Sequence, residues 1–389
     1  MKAITNADII ANNRVLKGYT LVFDKKIERI TRDHELDKSV FEEIIDGNNN
    51  YLSPGFIDIH IHGCLGNDTM DGDEGSIYAI SKNITSTGVT SFLPTTMTME
   101  LPIIEKTITR IRKLIDSEPG AEVLGCHLEG PFISDEYKGA QDGRYILKPD
   151  FNHIKDFSDV IKIVTIAPEQ EGSDEFIENC VKHGIVVSIG HTNATYDEAV
   201  NAVLKGASHC THTFNAMTPL HHREPGVVGA AMDSPVNCEL IADNIHVNPA
   251  VQRILLKVKG IDRIVLITDA MRACLLEDGE YDLGGQKVLV KGGEARLSAG
   301  NLAGSVLTLD KALKNFINNT GADLLEAIKT ITENPARILK VYDKKGSIDI
   351  GKDANLTLFD KNFNVCSTYV KGKKVYERLC HENSSIQGL

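Results

Sequence analysis

Between residues 56 and 269 short apolar runs alternate with amphipathic stretches, and this alternation restricts the fold more than any other feature of the chain. The runs at 56–62, 90–95, 123–129, 161–167, 186–191, 207–212, 238–242 and 263–269 read as eight strands. Segments 103–115, 176–183, 196–205, 249–258 and 305–318 carry apolar residues at three- and four-residue spacing, the pattern of a helix with one buried face. Strands that alternate with helices pack as parallel β/α units. Eight units predict an α/β chain closed into a (β/α)8 TIM-type barrel; the open alternative, a doubly wound sheet, lacks the G-x-G-x-x-G turn after its first strand.

Both chain ends read differently. Short β-like runs at 19–23 and 27–30, broken by Asn12-Asn13, Asp24-Lys25 and Gly47 to Asn50, have counterparts at 346–350, 354–359 and 366–376 near the other end. A small β-sandwich domain built from 1–51 and 341–389 is therefore expected, with the barrel at 52–340. Residues 280–299, with four glycines and the alternation Lys287-Val288-Leu289-Val290, predict a β-hairpin inserted after the eighth strand.

Charge and cysteine use narrow the functional classes. The 389 residues include 54 Asp and Glu against 42 Lys and Arg, a net charge of -12 that repels nucleic acid and anionic membrane surfaces. A small anionic substrate is still compatible, because local cations and main-chain N–H groups outweigh a distant, screened charge. The eight cysteines, from Cys64 to Cys380, show no C-x-x-C pair and read as reduced thiols. The first ten residues carry Lys2 and Asp8 and lack an uninterrupted apolar stretch, and no run approaches 18 apolar residues, so a cytoplasmic location is expected.

The ends of the predicted strands carry the chemistry. Strand one ends His60-Ile61-His62, strand three Glu129, strand five His191, strand six His212 and strand eight Asp269. Catalytic groups of β/α barrels lie at these C-terminal ends. His60 and His62 are two apart, so both imidazoles leave the same face of the strand. Four histidines, one glutamate and one aspartate can converge on a centre for one or two divalent ions. Asp269 follows Ile264 to Ile267, where an unpaired carboxylate is costly; beside a metal-activated water it can act as general base and then general acid. His209, three residues before His212, is expected on the opposite side of its strand in a structural role. His127 and His183 are likewise assigned no chemistry.

These residues carry a family resemblance. The string Pro54 to Gly63, with His191, His212 and Asp269 at later strand ends, is similar to the amidohydrolase superfamily of metal-dependent barrels. More narrowly, the chain resembles the family of N-acetylglucosamine-6-phosphate deacetylases. The matching motifs are His127 to Phe132, Gly190-His191-Thr192, Thr211 to Met217, His221 to Gly226, Ile241 to His246, Thr268 to Met271 and Leu302 to Ser305.

The resemblance implies that Glu129, His191 and His212 hold the principal ion, and that His60 and His62 can hold a second. Zinc, iron, manganese and cobalt all suit such nitrogen and oxygen donors. It also implies that Asp269 moves the proton, that His246 orients the acetamide carbonyl, and that Asn215, Ala216 and Arg223 bind the sugar phosphate. Ala140, Gln141, Leu302, Ala303 and Gly304 would line the sugar pocket. In this family the arginine comes from the neighbouring subunit, which implies a homodimer.

Three departures bear on specificity: Gln141 stands in place of a histidine, Asn244 in place of a glycine, and Cys274-Leu275 in place of Lys-Gly. An N-acetylgalactosamine-6-phosphate deacetylase would show nearly the same motifs. Cyclic-amide hydrolases share the barrel and H-x-H but use a bridging lysine, and Ile166-Ala167-Pro168 offers none at the end of strand four. A non-catalytic scaffold would have lost ligands that are all present here.

Overall fold

The computed structural model describes residues 1–35, 37–115, 117 and 120–378. Cys380 and the rest of the expected domain segment from 379 onward lie outside them. Eight parallel strands occupy the middle of the chain: β1 (Phe56–Ile61), β2 (Val89–Pro94), β3 (Cys126–Glu129), β4 (Ile161–Ile166), β5 (Val186–Ile189), β6 (His209–Cys210), β7 (Asn237–Ile241) and β8 (Ile264–Ile267). Strands β3 to β8 form one six-stranded sheet in chain order. β1 and β2 pair in a second sheet, whose outer member is the lead-in Glu122–Val123. The sequence predicts one strand over 123–129. It is broken because Gly125, at φ 146, turns the main chain between Val123 and Cys126 and hands its two pieces to different sheets. Main-chain bridges from Thr95 to His127 and from Ile61 to Ala270 connect the sheets at both margins. The result is a mixed α/β fold around a curled parallel sheet.

The strands are apolar because both faces are covered, by helices outside and by side-chain layers within. Ile264, Val265, Leu266 and Ile267 are all 0% exposed, and each such side chain contributes roughly 1.5–3 kcal/mol of transfer free energy. Helix Tyr196–Lys205 begins at the predicted residue because Thr195 and Glu198 form a reciprocal capping box, and it ends at left-handed Gly206. The helix expected from 305 starts only at Leu309. Ser305 is held extended by its main-chain N–H to Asp269 O at 2.7 Å and its hydroxyl to Thr268 O at 2.6 Å.

The terminal segments form two further sheets, and the chain ends meet in the second. A four-stranded sheet runs in the order Ile27–Arg32, Tyr19–Phe23, Lys2–Thr5, Glu43–Asp46. A six-stranded sheet joins Lys373–Glu377, Val365–Val370 and Leu356–Phe359 to Tyr51–Pro54, Asp8–Ala11 and Arg14–Leu16. Ile4, Leu21 and Phe23 pack with Ile9, Leu52 and Tyr369 in one apolar cluster. Residues 346–350 form no strand; Gly346 turns there at φ 90. The predicted hairpin after β8 has a third strand: Gly279–Leu283, Gln286–Lys291 and Glu294–Leu297 are antiparallel, the second turn lying at Gly292 and Gly293 with φ 61 and 86. This insertion packs through Leu283, Val288 and Ala295 on Met97, Met271 and Ala303. Among the described residues no helix is long and apolar enough to cross a membrane.

Candidate active site

Three of the strand-end residues share one backbone device. His191, His212 and Asp269 each lie two residues past the last residue of β5, β6 and β8, and each has positive φ: 47, 26 and 49. The left-handed region costs a non-glycine residue roughly 1–2 kcal/mol. Here it turns the chain out of the strand at the point where a side chain meets its neighbours over the sheet. The same turn corrects the parity argument for His209. Counting by twos assumes a continuous strand, but β6 stops at Cys210, and His209 does not face away from His212. Both rings turn into the same buried network: His212 Nε2 lies 3.0 Å from Glu129 Oε1, and His209 Nε2 lies 3.1 Å from Glu239 Oε1 of β7, whose other oxygen meets His60 Nδ1 at 2.9 Å.

Glu129 is the centre of the cluster. Its Oε1 lies 3.0 Å from His212 Nε2, 3.3 Å from His191 Nε2 and 3.4 Å from His60 Nε2. Its Oε2 lies 3.3 Å from His62 Nε2 and accepts the Gln141 side-chain N–H at 2.7 Å. Asp269 Oδ1 completes the ring, 3.2 Å from His62 Nε2 and 3.5 Å from His60 Nε2. All six side chains are buried. Rear contacts aim the imidazoles: His60 Nδ1 is 2.9 Å from Glu239 Oε2, His62 Nδ1 3.2 Å from Thr95 O, and His191 Nδ1 3.0 Å from Tyr137 O.

Burial opposes charge in His60, His62, His212, Glu129 and Asp269, and mutual attraction overrides it. Desolvation alone would lower His60, but Glu129, Glu239 and Asp269 push it up to about 9. His62 is raised well above its ordinary value, against its own burial, by hydrogen bonds to Asp269 and Glu129. Burial would raise Glu129, yet His60 and His191 hold it well below the usual carboxylate range. His127 behaves oppositely: burial and the charge of His60 lower it to about 3. A neutral ring donating from Nδ1 to Ile59 O at 3.0 Å and accepting from the Thr165 hydroxyl at 2.9 Å fits that state.

A site that concentrates carboxylates around imidazole nitrogens is a site for a cation. The buried His60 Nε2 has no hydrogen-bond partner, and the Nε2 atoms of His191 and His212 face each other at 3.0 Å. Ligand atoms of Glu129, His191 and His212 lie within 4.8 Å of one another, as do those of His60, His62 and Asp269. Nitrogen and carboxylate donors of this kind suit a borderline divalent ion. The residues present therefore fit a metal centre.

The cluster forms the floor of a cavity of about 530 Å³. Ala140, Gln141, Asn215, Ala216, Leu302 and Gly304 line its walls. His246 lines it too, its Nδ1 facing Asp243 Oδ2 at 2.6 Å. Ala303 does not; it is 0% exposed in the apolar cluster beneath the insertion. Arg223 is exposed, lies with Tyr137, Thr195 and His221 in a separate groove, and places Nη1 2.7 Å from His222 Nε2. The one Lys or Arg among the cavity's lining residues is Arg296, tied to Glu294 and to Gly300 O at 2.8 Å each. Asn244 takes φ 69, a conformation asparagine tolerates well, so it can stand where a glycine is usual.

Sequence reasoning missed Glu239. It is 0% exposed within Cys238 to Ile241, and the cost of a lone carboxylate in an apolar strand, which singled out Asp269, was an equal signal there.

Comparison with known proteins agrees with this geometry. The amidohydrolase family model matches residues 51–375. An N-acetylglucosamine-6-phosphate deacetylase of Bacillus subtilis is 39% identical over 95% of this chain and 96% of its own length. The crystal structure of the enzyme of that name from Pasteurella multocida superposes with a TM-score of 0.92 at 35% identity, covering 97% of this chain and all of its own. A mutant of the Mycobacterium smegmatis enzyme, solved in complex with N-acetyl-D-glucosamine-6-phosphate, superposes with a TM-score of 0.88 at 28% identity, over 96% of this chain and 99% of its own. With its strand-end carboxylates and imidazoles set in that fold, the chain belongs to the amidohydrolase family and, within it, to the N-acetylglucosamine-6-phosphate deacetylases.

Proposed function

We propose that this chain hydrolyses the acetamide of N-acetyl-D-glucosamine 6-phosphate to D-glucosamine 6-phosphate and acetate, a step of amino-sugar breakdown in the cytoplasm. The observation that carries the reading is Asp269 Oδ1, 3.2 Å from His62 Nε2, at the floor of a cavity walled by Asn215, Ala216 and His246. Glu129, His191 and His212 would hold the principal divalent ion, and His60 and His62 a second. Zinc, iron, manganese or cobalt there would supply Lewis acidity and make a water acidic.

The chain's own groups do the rest. Asp269 takes the proton of the attacking water and returns it to the departing amine, so one carboxylate serves as base and then acid. His246, its Nδ1 fixed by Asp243, presents Nε2 to the acetamide carbonyl. The main-chain N–H of Ala216 receives the phosphate without adding charge, and that of Asn215, which donates to His212 O at 2.9 Å, joins it by exchanging that bond for the phosphate. Arg223 completes that phosphate site from a second copy of this chain, since within one chain it lies outside the cavity; its planar fork matches phosphate oxygens. Ala140, Gln141, Leu302 and Gly304 surround the sugar. In this reading 52–340 is a closed (β/α)8 barrel, and 1–51 with 341–389 makes a small β-sandwich domain, supported by the sheet that both ends share.

The test is acetate release by metal-analysed protein from N-acetylglucosamine 6-phosphate, its galacto epimer and unphosphorylated N-acetylglucosamine. Turnover of the phosphorylated gluco sugar well above the other two is expected. Preference for the galacto epimer would change the substrate, and no release from any of them, with metal bound, would overturn the reading.

A further inference from the structure

We propose that Glu239 is a positioning residue that presets His60 for a second cation, so that this carboxylate decides whether the chain holds one divalent ion or two. The proposal rests on reading the strand-end residues as a metal centre.

Glu239 sits in β7 between Cys238 and Leu240, 0% exposed, and it faces the back of the site rather than the cavity. One oxygen, Oε2, takes both the His60 Nδ1 contact at 2.9 Å and the His212 main-chain N–H at 3.0 Å. The other, Oε1, is 3.1 Å from His209 Nε2 and 4.0 Å from His127 Nδ1. A carboxylate behind Nδ1 keeps the proton there and leaves the lone pair on Nε2, which is also made more basic. That Nε2 is buried, without a hydrogen-bond partner, and points between Glu129 at 3.4 Å and Asp269 at 3.5 Å.

The other three imidazoles lack this support. His62 and His191 have main-chain carbonyls behind Nδ1, and His212 Nδ1 has no hydrogen-bond partner. His60 alone is backed by a charge, and it belongs to the group with His62 and Asp269 rather than to that with Glu129, His191 and His212. Loss of Glu239 therefore acts on one group of ligands more than on the other. The shared Oε2 also ties the two groups together, through the His212 main chain.

The experiment loads wild type, Glu239→Gln and Glu239→Asp with Zn²⁺, dialyses them against graded chelator, and counts zinc per chain by elemental analysis. Two ions in the wild type are expected, one of them bound about 10–100-fold more weakly in Glu239→Gln. Glu239→Asp withdraws the carboxylate by one methylene and gives the same reading should the glutamine variant not fold. His209→Ala is the control: it cuts the same buried network without touching His60 and keeps both ions. The proposal is overturned by a wild type that holds one ion, by Glu239→Gln binding both at wild-type affinity, or by His209→Ala losing the same ion equally. Two-ion binding without release of acetate from any sugar would sink the proposed function and leave the role of Glu239 standing.

Discussion

Gln141 gives its side-chain N–H to Glu129 Oε2 at 2.7 Å, while its carbonyl accepts the Thr98 main-chain N–H at 2.6 Å. Both ends of a 4% exposed amide are thus used inside the protein, and the residue orients the central carboxylate while it lines the cavity. A hydrogen bond to a charged group contributes about 1.5–3 kcal/mol, so Gln141→Leu is expected to lower kcat about 10–100-fold while KM moves little. Steady-state kinetics on the phosphorylated sugar make the check. A variant whose KM rises at constant kcat would show that Gln141 acts on the sugar instead.

Asp269 is the group whose loss should separate chemistry from folding. Its carboxylate meets His62 and His60, and asparagine has the same shape without the basic oxygen. Asp269→Asn is expected to lose about 10²–10⁴ in kcat, the usual contribution of a positioned acid or base, with the near-UV circular dichroism unchanged. Turnover within a few-fold of wild type would end the case for Asp269 as proton carrier.

Most of the floor was legible because metal-type residues terminate apolar runs. His60, His62, Glu129, His191, His212 and Asp269 needed no knowledge of which strands pair. What stayed hidden depends on contacts distant in sequence or on local departures from regular geometry. Glu239 is 179 residues from His60, and nothing near it in the chain announces that partner. Parity puts His209 on the wrong face because it extends a strand that ends at Cys210. Amphipathic spacing starts helix Leu309–Thr320 four residues early, because Ser305 is claimed by Asp269 and Thr268 and the spacing cannot register a main-chain bridge. The third strand of the insertion, Glu294–Leu297, follows a second turn at Gly292 and Gly293 and is too short to show an alternation of its own.

Acid should weaken the junction between the curled sheet and the terminal segment. Glu122 bonds to Lys345 at 2.5 Å and Asn355 at 2.6 Å, and pairs with Lys371 at 3.0 Å. Burial alone would raise its pKa, but Lys345 foremost holds it below the ordinary value of 4.5. A depressed carboxylate contributes stability that is present above pH 4.5 and is lost as pH falls through the folded-state value. Glu122→Gln is expected to cost about 3 kcal/mol at neutral pH, because Lys345 is left buried with only part of its counter-charge, and to flatten the acid dependence. Urea unfolding of both proteins at neutral pH and below pH 4 compares the slopes; parallel losses would remove Glu122 from the account.

Arg223 poses the sharpest question about assembly, because its side chain lines a groove apart from the cavity of its own chain. If a second copy supplies it, each active site needs Asp269 from one chain and Arg223 from the other. Arg223→Gln alone should raise KM for the phosphorylated sugar about 10–100-fold, the loss of one charge-assisted bidentate contact, and leave the unphosphorylated sugar unaffected. Refolding it together with Asp269→Asn then forms mixed dimers, and each mixed dimer contains one site with both residues intact. Random pairing makes half the dimers mixed, so at substrate below the wild-type KM, where both parents are nearly inactive, about a quarter of wild-type activity should return. Activity equal to the average of the parents would place Arg223 with its own chain's cavity, or outside the reaction altogether.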